Sequence, residues 1–230
     1  MQTSKHLAEN FADVLLADIR LRLGHLVSAK NSMIDLVLSE TRDYFVEHHD
    51  LLYRFYALRN KHSYGYVHSI DVAVYSLLIG AQQYLPLDEL RDLCIGGILH
   101  DIGKLFVDTS ILESPNKLTD KEFDVIRHHP ENGVDIYKKY DNNERIVNII
   151  GQHHEKLNGK GYPLGLRGTE IDDLAKIVTV ADIFDAVTTT RSYHKGQDVY
   201  KGMEALYKSA NEADPEIDES IVSNLFEVVT

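Results

Sequence analysis

The sequence predicts an all-α protein, and three observations support that fold class. Apolar residues recur at helical spacing over residues 4–58, without the alternation that is typical of strands. A second apolar run with helical spacing covers Val67–Tyr84. Thr119 and Glu122 form a capping box, which indicates that a helix begins at about Asp120.

The first part of the chain is predicted to be separate from the rest. Residues 1–60 are interpreted as an N-terminal helical extension, in which Gly24 marks a break or a close packing contact. The polar cluster over residues 59–63 indicates a connector. We therefore expect an extension over residues 1–60 and a main domain over residues 61–230.

The main domain is predicted to contain a series of helices with one long interruption. The predicted helices cover 67–84, 88–99, 120–128, a segment after Pro130, 174–189, and one or two helices within 197–229 that divide near Asp214-Pro215. Residues 155–171 contain four glycines and one proline and are expected to form a loop. Loops of this length usually have a functional reason.

Composition excludes several classes of protein. The net charge of −12 argues against a binder of nucleic-acid polymers, although a metal site can still attract a small phosphate ligand. Cys94 is the only cysteine and lies in an apolar run, so no disulfide framework exists within the chain and the cytosol is the expected compartment. Neither a signal peptide nor an apolar run of about 18 residues is visible, so no membrane association is expected.

Histidines are concentrated in one part of the chain. Of 12 histidines, seven lie between His62 and His154. They include His100, which is followed by Asp101 at the predicted end of an apolar helix, and the pair His153-His154. Burial of such a pair is costly unless it binds a partner. The pair alone is nevertheless weak evidence, as consistent with a structural role as with metal binding.

Other residues favour the metal interpretation. His129 precedes Pro130 at a predicted helix start, Asp182 lies in an apolar helix, and His68 has apolar neighbours. Imidazole and carboxylate groups without thiolates suit divalent iron or manganese. Two such ions can activate water and stabilise displacement at phosphorus, a chemistry that requires no serine or cysteine nucleophile.

The chain resembles the HD-GYP family of bacterial phosphodiesterases, which cleave cyclic dinucleotides, typically cyclic di-GMP. The resemblance covers about residues 64–210 and includes the order and spacing of the motifs. These motifs are His68, His100-Asp101-Ile102-Gly103-Lys104, His129-Pro130, His153-His154-Glu155, Gly161-Tyr162-Pro163, Ala181-Asp182 and Arg191-Ser192-Tyr193.

The resemblance implies an HD-domain helical bundle with a dinuclear metal site. The implied metal ligands are His68, His100, Asp101, His129, His153, His154 and Asp182. Asp101 would bridge the two ions as a catalytic residue. Lys104 would contact the scissile phosphate, Tyr162 would line the substrate side, and Arg191 would bind substrate phosphate.

The sequence departs from the family pattern at several positions. Tyr64 stands where some members have a glutamate that supports a third metal, so two ions are expected. Asp71 stands where arginine is common, Leu157-Asn158 replace Trp-Asp, and Ser192 replaces a common proline. None of these changes removes an implied ligand.

Structural roles remain as alternatives for several residues. Lys104 could cap a helix, Tyr162 could pack the loop, and Arg191 could pair with Asp185. Glu155 is interpreted as a partner of a ligating histidine or as a solvated charge.

Three functions are compared on this basis. The leading hypothesis is an active cyclic-dinucleotide phosphodiesterase, with cyclic di-GMP favoured and mixed cyclic GMP-AMP as an alternative. The second is a module that binds a cyclic dinucleotide, or a partner such as a diguanylate cyclase, without useful turnover. The third is a nucleotide phosphohydrolase. Residues 1–60 would then be a lead-in, a homodimer contact or the remnant of a shortened protein.

Overall fold

The computed structural model describes residues 2–26, 32–61, 63–114, 116–189 and 199–229, which fold into twelve α-helices. In chain order they are α1 (Gln2–Leu26), α2 (Ser32–Glu47), α3 (His49–Lys61), α4 (Ser63–Gln82), α5 (Leu87–Leu99), α6 (Thr109–Leu112), α7 (Asp120–Arg127), α8 (His129–Tyr137), α9 (Glu144–Gln152), α10 (Asp173–Thr188), α11 (Val199–Ala210) and α12 (Glu219–Val229). Short 3-10 helices cover Ile102–Phe106 and Gly168–Glu170. Within these ranges the only pairing of strand type is an isolated bridge between Asn158 and Arg167, so the all-α prediction is confirmed.

The centre of the molecule is the contact between α4 and α5. Helix α5 is buried along almost its whole second half, because α2, α4 and α9 pack around it. Two glycines allow this close packing: a Cβ at Gly97 would lie 2.7 Å from the Cα of Ala73, and one at Gly96 would lie 2.6 Å from the Ile149 side chain. Because α5 is central, its carboxyl end carries the following His100 and Asp101 into the interior.

Most predicted helix boundaries agree with the structure. Helix α4 begins four residues before the predicted start at Val67, while α5 ends at the predicted Leu99. Thr119 and Glu122 make both hydrogen bonds of the predicted capping box at α7. Helices α11 and α12 are separated around the predicted Asp214-Pro215 division.

The N-terminal helices share the hydrophobic core with the rest of the described chain. Leu15 and Ile19 of α1 and Phe45 of α2 belong to the same buried cluster as the residues of α4 and α5. Our interpretation of Gly24 was wrong, because α1 continues to Leu26 and, among the described residues, no atom beyond the local helix backbone lies within 4 Å of a Cβ placed there.

In the described ranges no helix has both the length and the apolar character that a bilayer crossing requires.

Candidate functional site

Three helix ends and two helix faces bring the predicted ligands together. His100 terminates α5, His129 begins α8, and His153 terminates α9. His68 and Asp182 come from the interiors of α4 and α10, which pack against each other. Adjacent side chains can point to the same place at a helix end, and accordingly the rings of His153 and His154 are only 4.2 Å apart between centroids.

Asp101 lies between two groups of potential ligand atoms. One group consists of Asp101, His129, His153 and His154, and the other of His68, His100 and Asp101. Its Oδ1 lies 3.2 Å from Nε2 of His129, whereas its Oδ2 lies 3.5 Å from Nε2 of His100 and 3.8 Å from Nε2 of His68. The two oxygens of one carboxylate thus face different histidine groups.

Asp182 connects the same two groups from the opposite side. Its Oδ1 lies 3.0 Å from Nε2 of His68, and its Oδ2 lies 3.8 Å from Nδ1 of His154. The structure therefore brings all seven predicted metal-binding residues into one cluster.

Backbone carbonyls orient three of the histidines. Nδ1 of His100 lies 2.8 Å from the carbonyl oxygen of Gly97. Nδ1 of His129 lies 2.8 Å from the carbonyl oxygen of Ile126, and Nδ1 of His153 lies 2.9 Å from that of Ile150. A carbonyl oxygen can only accept, so Nδ1 carries the proton in each ring. The Nε2 lone pairs are consequently directed into the cluster, as metal binding requires.

Burial keeps His129, His153 and His154 neutral. Burial lowers the pKa of His129 and of His153, and it lowers the pKa of His154 to about 3. His68 differs: burial opposes protonation, but hydrogen bonds to Asp182 and Asp185 raise its pKa to about 9. The carboxylate of Asp101 is also buried, yet the charge of Lys104 holds its pKa well below the ordinary value.

The unsatisfied atoms of the cluster fit a bound cation. Within the described part of the chain, Nε2 of His100 and Oδ1 of Asp101 are buried without a hydrogen-bond partner. Nε2 of His129 lies 3.1 Å from Nε2 of His153, so two lone pairs face each other. Buried groups of this kind are normally satisfied by hydrogen bonds or by metal ions. The nitrogen and oxygen donors suit a divalent first-row metal.

A cavity of about 510 Å³ opens directly over this cluster. Its lining includes five of the predicted ligands together with Tyr64, Lys104, Lys117 and Tyr162. Nζ of Lys104 lies 2.5 Å from Oδ2 of Asp101, so this lysine is at the floor of the cavity. Tyr64 stacks on the His68 ring and donates a hydrogen bond to Oδ2 of Asp185.

Tyr162 both lines the cavity and packs the loop over residues 155–171. Its ring contacts His154, with 4.7 Å between ring centroids, and the Arg127 guanidinium lies 5.5 Å from its centroid. Gly161 is required by close approach, because a Cβ there would lie 2.5 Å from backbone atoms of His154 and Lys156. The packing and substrate-lining roles of Tyr162 are therefore compatible.

The structure assigns hydrogen-bonding roles to two acidic residues near the cluster, Glu155 and Asp185. The buried Glu155 accepts hydrogen bonds from the backbone N–H groups of Leu164, Gly165 and Leu166, so it organises the loop instead of supporting a histidine. Asp185, in contrast, is the partner of a predicted ligand: its Oδ2 lies 2.6 Å from Nδ1 of His68. The predicted substrate residue Arg191 lies outside the described residues.

Comparison with known proteins identifies the domain. The family model described as "HD domain" matches residues 50–217. A chain of the Bdellovibrio bacteriovorus protein Bd1817, described as a HDG"Y"P protein, has a similar fold, with a TM-score of 0.62, 19% identity and coverage of 98% of this chain and 70% of that chain. At 19% identity, this similarity is evidence for a shared fold alone.

Curated relatives are similar over part of their length. The cyclic di-GMP phosphodiesterase PA4108 of Pseudomonas aeruginosa is 32% identical over 197 residues, which are 85% of this chain and 47% of the relative. The 3'3'-cGAMP-specific phosphodiesterase 3 of Vibrio cholerae is 37% identical over 157 residues, 68% of this chain and 34% of the relative. The chain thus spans about half or less of the length of these relatives.

Proposed function

This chain belongs to the HD domain family, and on that premise we propose that it is a metal-dependent phosphodiesterase of the HD-GYP kind that hydrolyses a cyclic dinucleotide. The observation that carries the proposal is Asp101, whose two oxygens face two histidine groups beneath a cavity of about 510 Å³. Residues 61–230 would form the phosphodiesterase domain, and residues 1–60 the N-terminal extension.

The proposed metal centre would hold two ions. Asp101 would bridge them, with His129, His153 and His154 on one side and His68 and His100 on the other, while Asp182 would bind beside His68. Tyr64 offers no carboxylate for a third ion. Iron or manganese is proposed because the cluster is rich in imidazole and lacks thiolate. When bound, such a pair supplies Lewis-acid charge and lowers the pKa of a water molecule.

The residues of the chain supply position and charge for the reaction. Lys104, which lies beside Asp101 at the cavity floor, would donate hydrogen bonds to a phosphoryl oxygen. Tyr162 would form a wall against the substrate, and Arg191 would bind a phosphate oxygen. Water adds across one P–O ester bond, so that a linear dinucleotide is released. Cys94 cannot act as a nucleophile, because it is fully buried in the core.

Cyclic di-GMP is the proposed substrate, and mixed cyclic GMP-AMP is the second candidate. The first is supported by the similarity to the P. aeruginosa cyclic di-GMP phosphodiesterase, and the second by the similarity to the V. cholerae cGAMP-specific enzyme.

The test combines metal analysis with turnover. Protein purified without oxygen is analysed for iron and manganese and then incubated with each cyclic dinucleotide, and the products are separated by chromatography and mass spectrometry. We expect about two ions per chain and a product heavier by one water. If protein with two ions leaves both compounds intact over hours, the proposed activity is wrong. Binding without a mass change would indicate a binding module.

A further inference from the structure

The cavity over the cluster of proposed metal ligands has an outer wall to which no role has yet been given. This outer wall consists of the lining residues within 111–118 together with one residue of α7. Its apolar members are Ile111, Leu112, Leu118 and Ile126. All four are half-buried, and none belongs to the hydrophobic core of the described chain. Apolar side chains that line a cavity without joining the core are suited to contact a flat ligand surface such as a nucleobase.

Lys117 gives this outer wall a positive charge. The residue is exposed, lines the cavity and forms no ion pair with any described residue, whereas Lys104 contacts Asp101 at the cavity floor. Among the described residues that line the cavity, the only acids are Asp101 and Asp182, which are both proposed ligands. The chain has 36 acidic residues and a net charge of −12. An unpaired ammonium on a wall without carboxylates therefore favours an anionic ligand at this place.

Hydrogen bonds hold the backbone on both sides of Lys117. Before it, the backbone N–H of Asn116 donates to Oγ of Ser114 at 3.3 Å. After it, Thr119 and Glu122 form the capping box that begins α7. The backbone position of Lys117 is thus fixed before a ligand binds, which lowers the entropy that binding must remove.

A cyclic dinucleotide has two phosphodiester groups on opposite sides of one covalent ring, so only one of them can lie on the metal ligands at a time. We propose that the outer wall is the subsite for the second nucleotide, and that Lys117 donates a hydrogen bond to the phosphate that is not cleaved. Lys104 would serve the scissile phosphate. This inference rests on the proposed function and deepens it, because it assigns to Lys117 the selectivity for a diester with two phosphates.

The test compares cyclic di-GMP with bis(p-nitrophenyl) phosphate, a diester that has no second phosphate for Lys117 to contact. We expect Lys117→Met to lower the ratio of the kcat/KM value for cyclic di-GMP to that for the simple diester by about 10-fold, because one charge-assisted hydrogen bond is lost. The loss should appear mainly in KM, since the contact does not involve the reacting phosphate. Lys121→Met is the matched control: Lys121 is also exposed, but it does not line the cavity, so the ratio should be unchanged.

Calorimetric titration adds a measurement that does not depend on turnover. Metal-loaded proteins are titrated with a phosphorothioate analogue of cyclic di-GMP, which is cleaved slowly. Lys117→Met should bind it about 10-fold more weakly, and Lys117→Arg should retain most of the affinity, because the guanidinium also donates to phosphate. An unchanged ratio or affinity in Lys117→Met, or equal losses in the two methionine variants, would overturn the inference. If the unaltered protein cleaves neither diester, the proposed function fails instead, and the titration alone decides whether Lys117 binds the second phosphate.

Discussion

The arrangement of the cluster depends on the carboxylate chemistry of one side chain, that of Asp101. It is buried, its two oxygens face different histidine groups, and Lys104 contacts one of them. A carboxylate can serve both groups with oxygen lone pairs, whereas an amide of nearly the same shape has one acceptor oxygen and one donor nitrogen. Isosteric replacement is therefore a direct test of bridging.

We expect Asp101→Asn to reduce the metal content from about two ions to one or none per chain. Turnover should fall by on the order of 100-fold or more, because outer-shell partners alone are worth about 10- to 100-fold. Elemental analysis and a cyclic di-GMP assay measure both effects. The exposed Asp108→Asn, which changes only a helix N-cap, serves as the control. Two ions in the Asp101 variant would exclude the bridging role.

Glu155 provides a second prediction at this scale. Its carboxylate accepts from three backbone N–H groups at 2.6, 3.1 and 3.0 Å. Glu155→Gln replaces one acceptor oxygen by a donor, which leaves a buried group unpaired at a cost of about 1–3 kcal/mol. We expect faster hydrogen exchange at residues 164–166 and a higher KM with a smaller change in kcat. The exposed Glu144→Gln should change neither, and unaltered exchange in the Glu155 variant would contradict the assignment.

Candidate ligands could be predicted from the sequence, whereas contacts between distant residues could not. The ligand candidates could be predicted because each is a histidine or aspartate within a recognisable motif. The ion pair of Asp71 with Arg22 could not be predicted, because the two residues are 49 positions apart in the sequence. The hydrogen bond of Glu155 with Leu164 could not be predicted either, because it forms within an irregular loop. Local pattern contains no information about either contact.

At the scale of elements, the 3-10 helix after Asp101 is packed against the start of α8. A Cβ on Gly103 would lie 1.9 Å from the carbonyl oxygen of His129. Gly103 is not among the glycines of the described chain that have a left-handed φ, so close approach is the reason that glycine is needed there. This contact places Asp101 beside His129.

Gly103→Ala is therefore expected to separate the 3-10 helix from α8. The overpacking should destabilise the metal-free protein by about 1–3 kcal/mol and weaken metal binding. Gly24→Ala is the matched change, because a Cβ there meets no atom of the described residues beyond the local helix backbone, and alanine is favoured in helices by up to about 1 kcal/mol. Urea unfolding of the two variants compares them. If the two variants are equally stable, the close approach of Gly103 to His129 does not exclude a methyl group at position 103.

Regular elements were predicted more successfully than irregular ones. Helices α4, α5, α7 and α10 have strong periodic or capping signals, and their ends were placed within a few residues. The 3-10 helix at Ile102–Phe106 and the one-turn helix α6 were not predicted, because such short segments bury few residues and have no measurable periodicity.

At the scale of the whole molecule, Cys94 reports on the integrity of the core. It is fully buried, and burial raises the pKa of its thiol from 9.0 to about 12. Since the folded protein retains this proton to higher pH than the unfolded chain, the corresponding stability is present below about pH 9 and is lost as pH rises towards 12.

Alkylation of Cys94 should therefore require global opening. At pH 8 we expect negligible reaction with iodoacetamide in native buffer, and a rate that increases through the urea transition. Mass spectrometry follows the modification, and the fully unfolded protein supplies the reference rate. Reaction of native protein at that reference rate would be incompatible with the described core.

The contact of the loop over residues 155–171 with the region between α11 and α12 has a consequence for biosynthesis. Leu157 donates its backbone N–H to the Glu216 carbonyl oxygen, and Lys156 contacts the Glu216 carboxylate at 2.7 Å across 60 residues. Lys160 contacts Asp214 in the same way at 2.8 Å. A ribosome produces the histidines well before it produces these anchors. The nascent chain can thus gather its proposed metal ligands early, but the loop that carries Tyr162 acquires these anchors only after Glu216 has emerged.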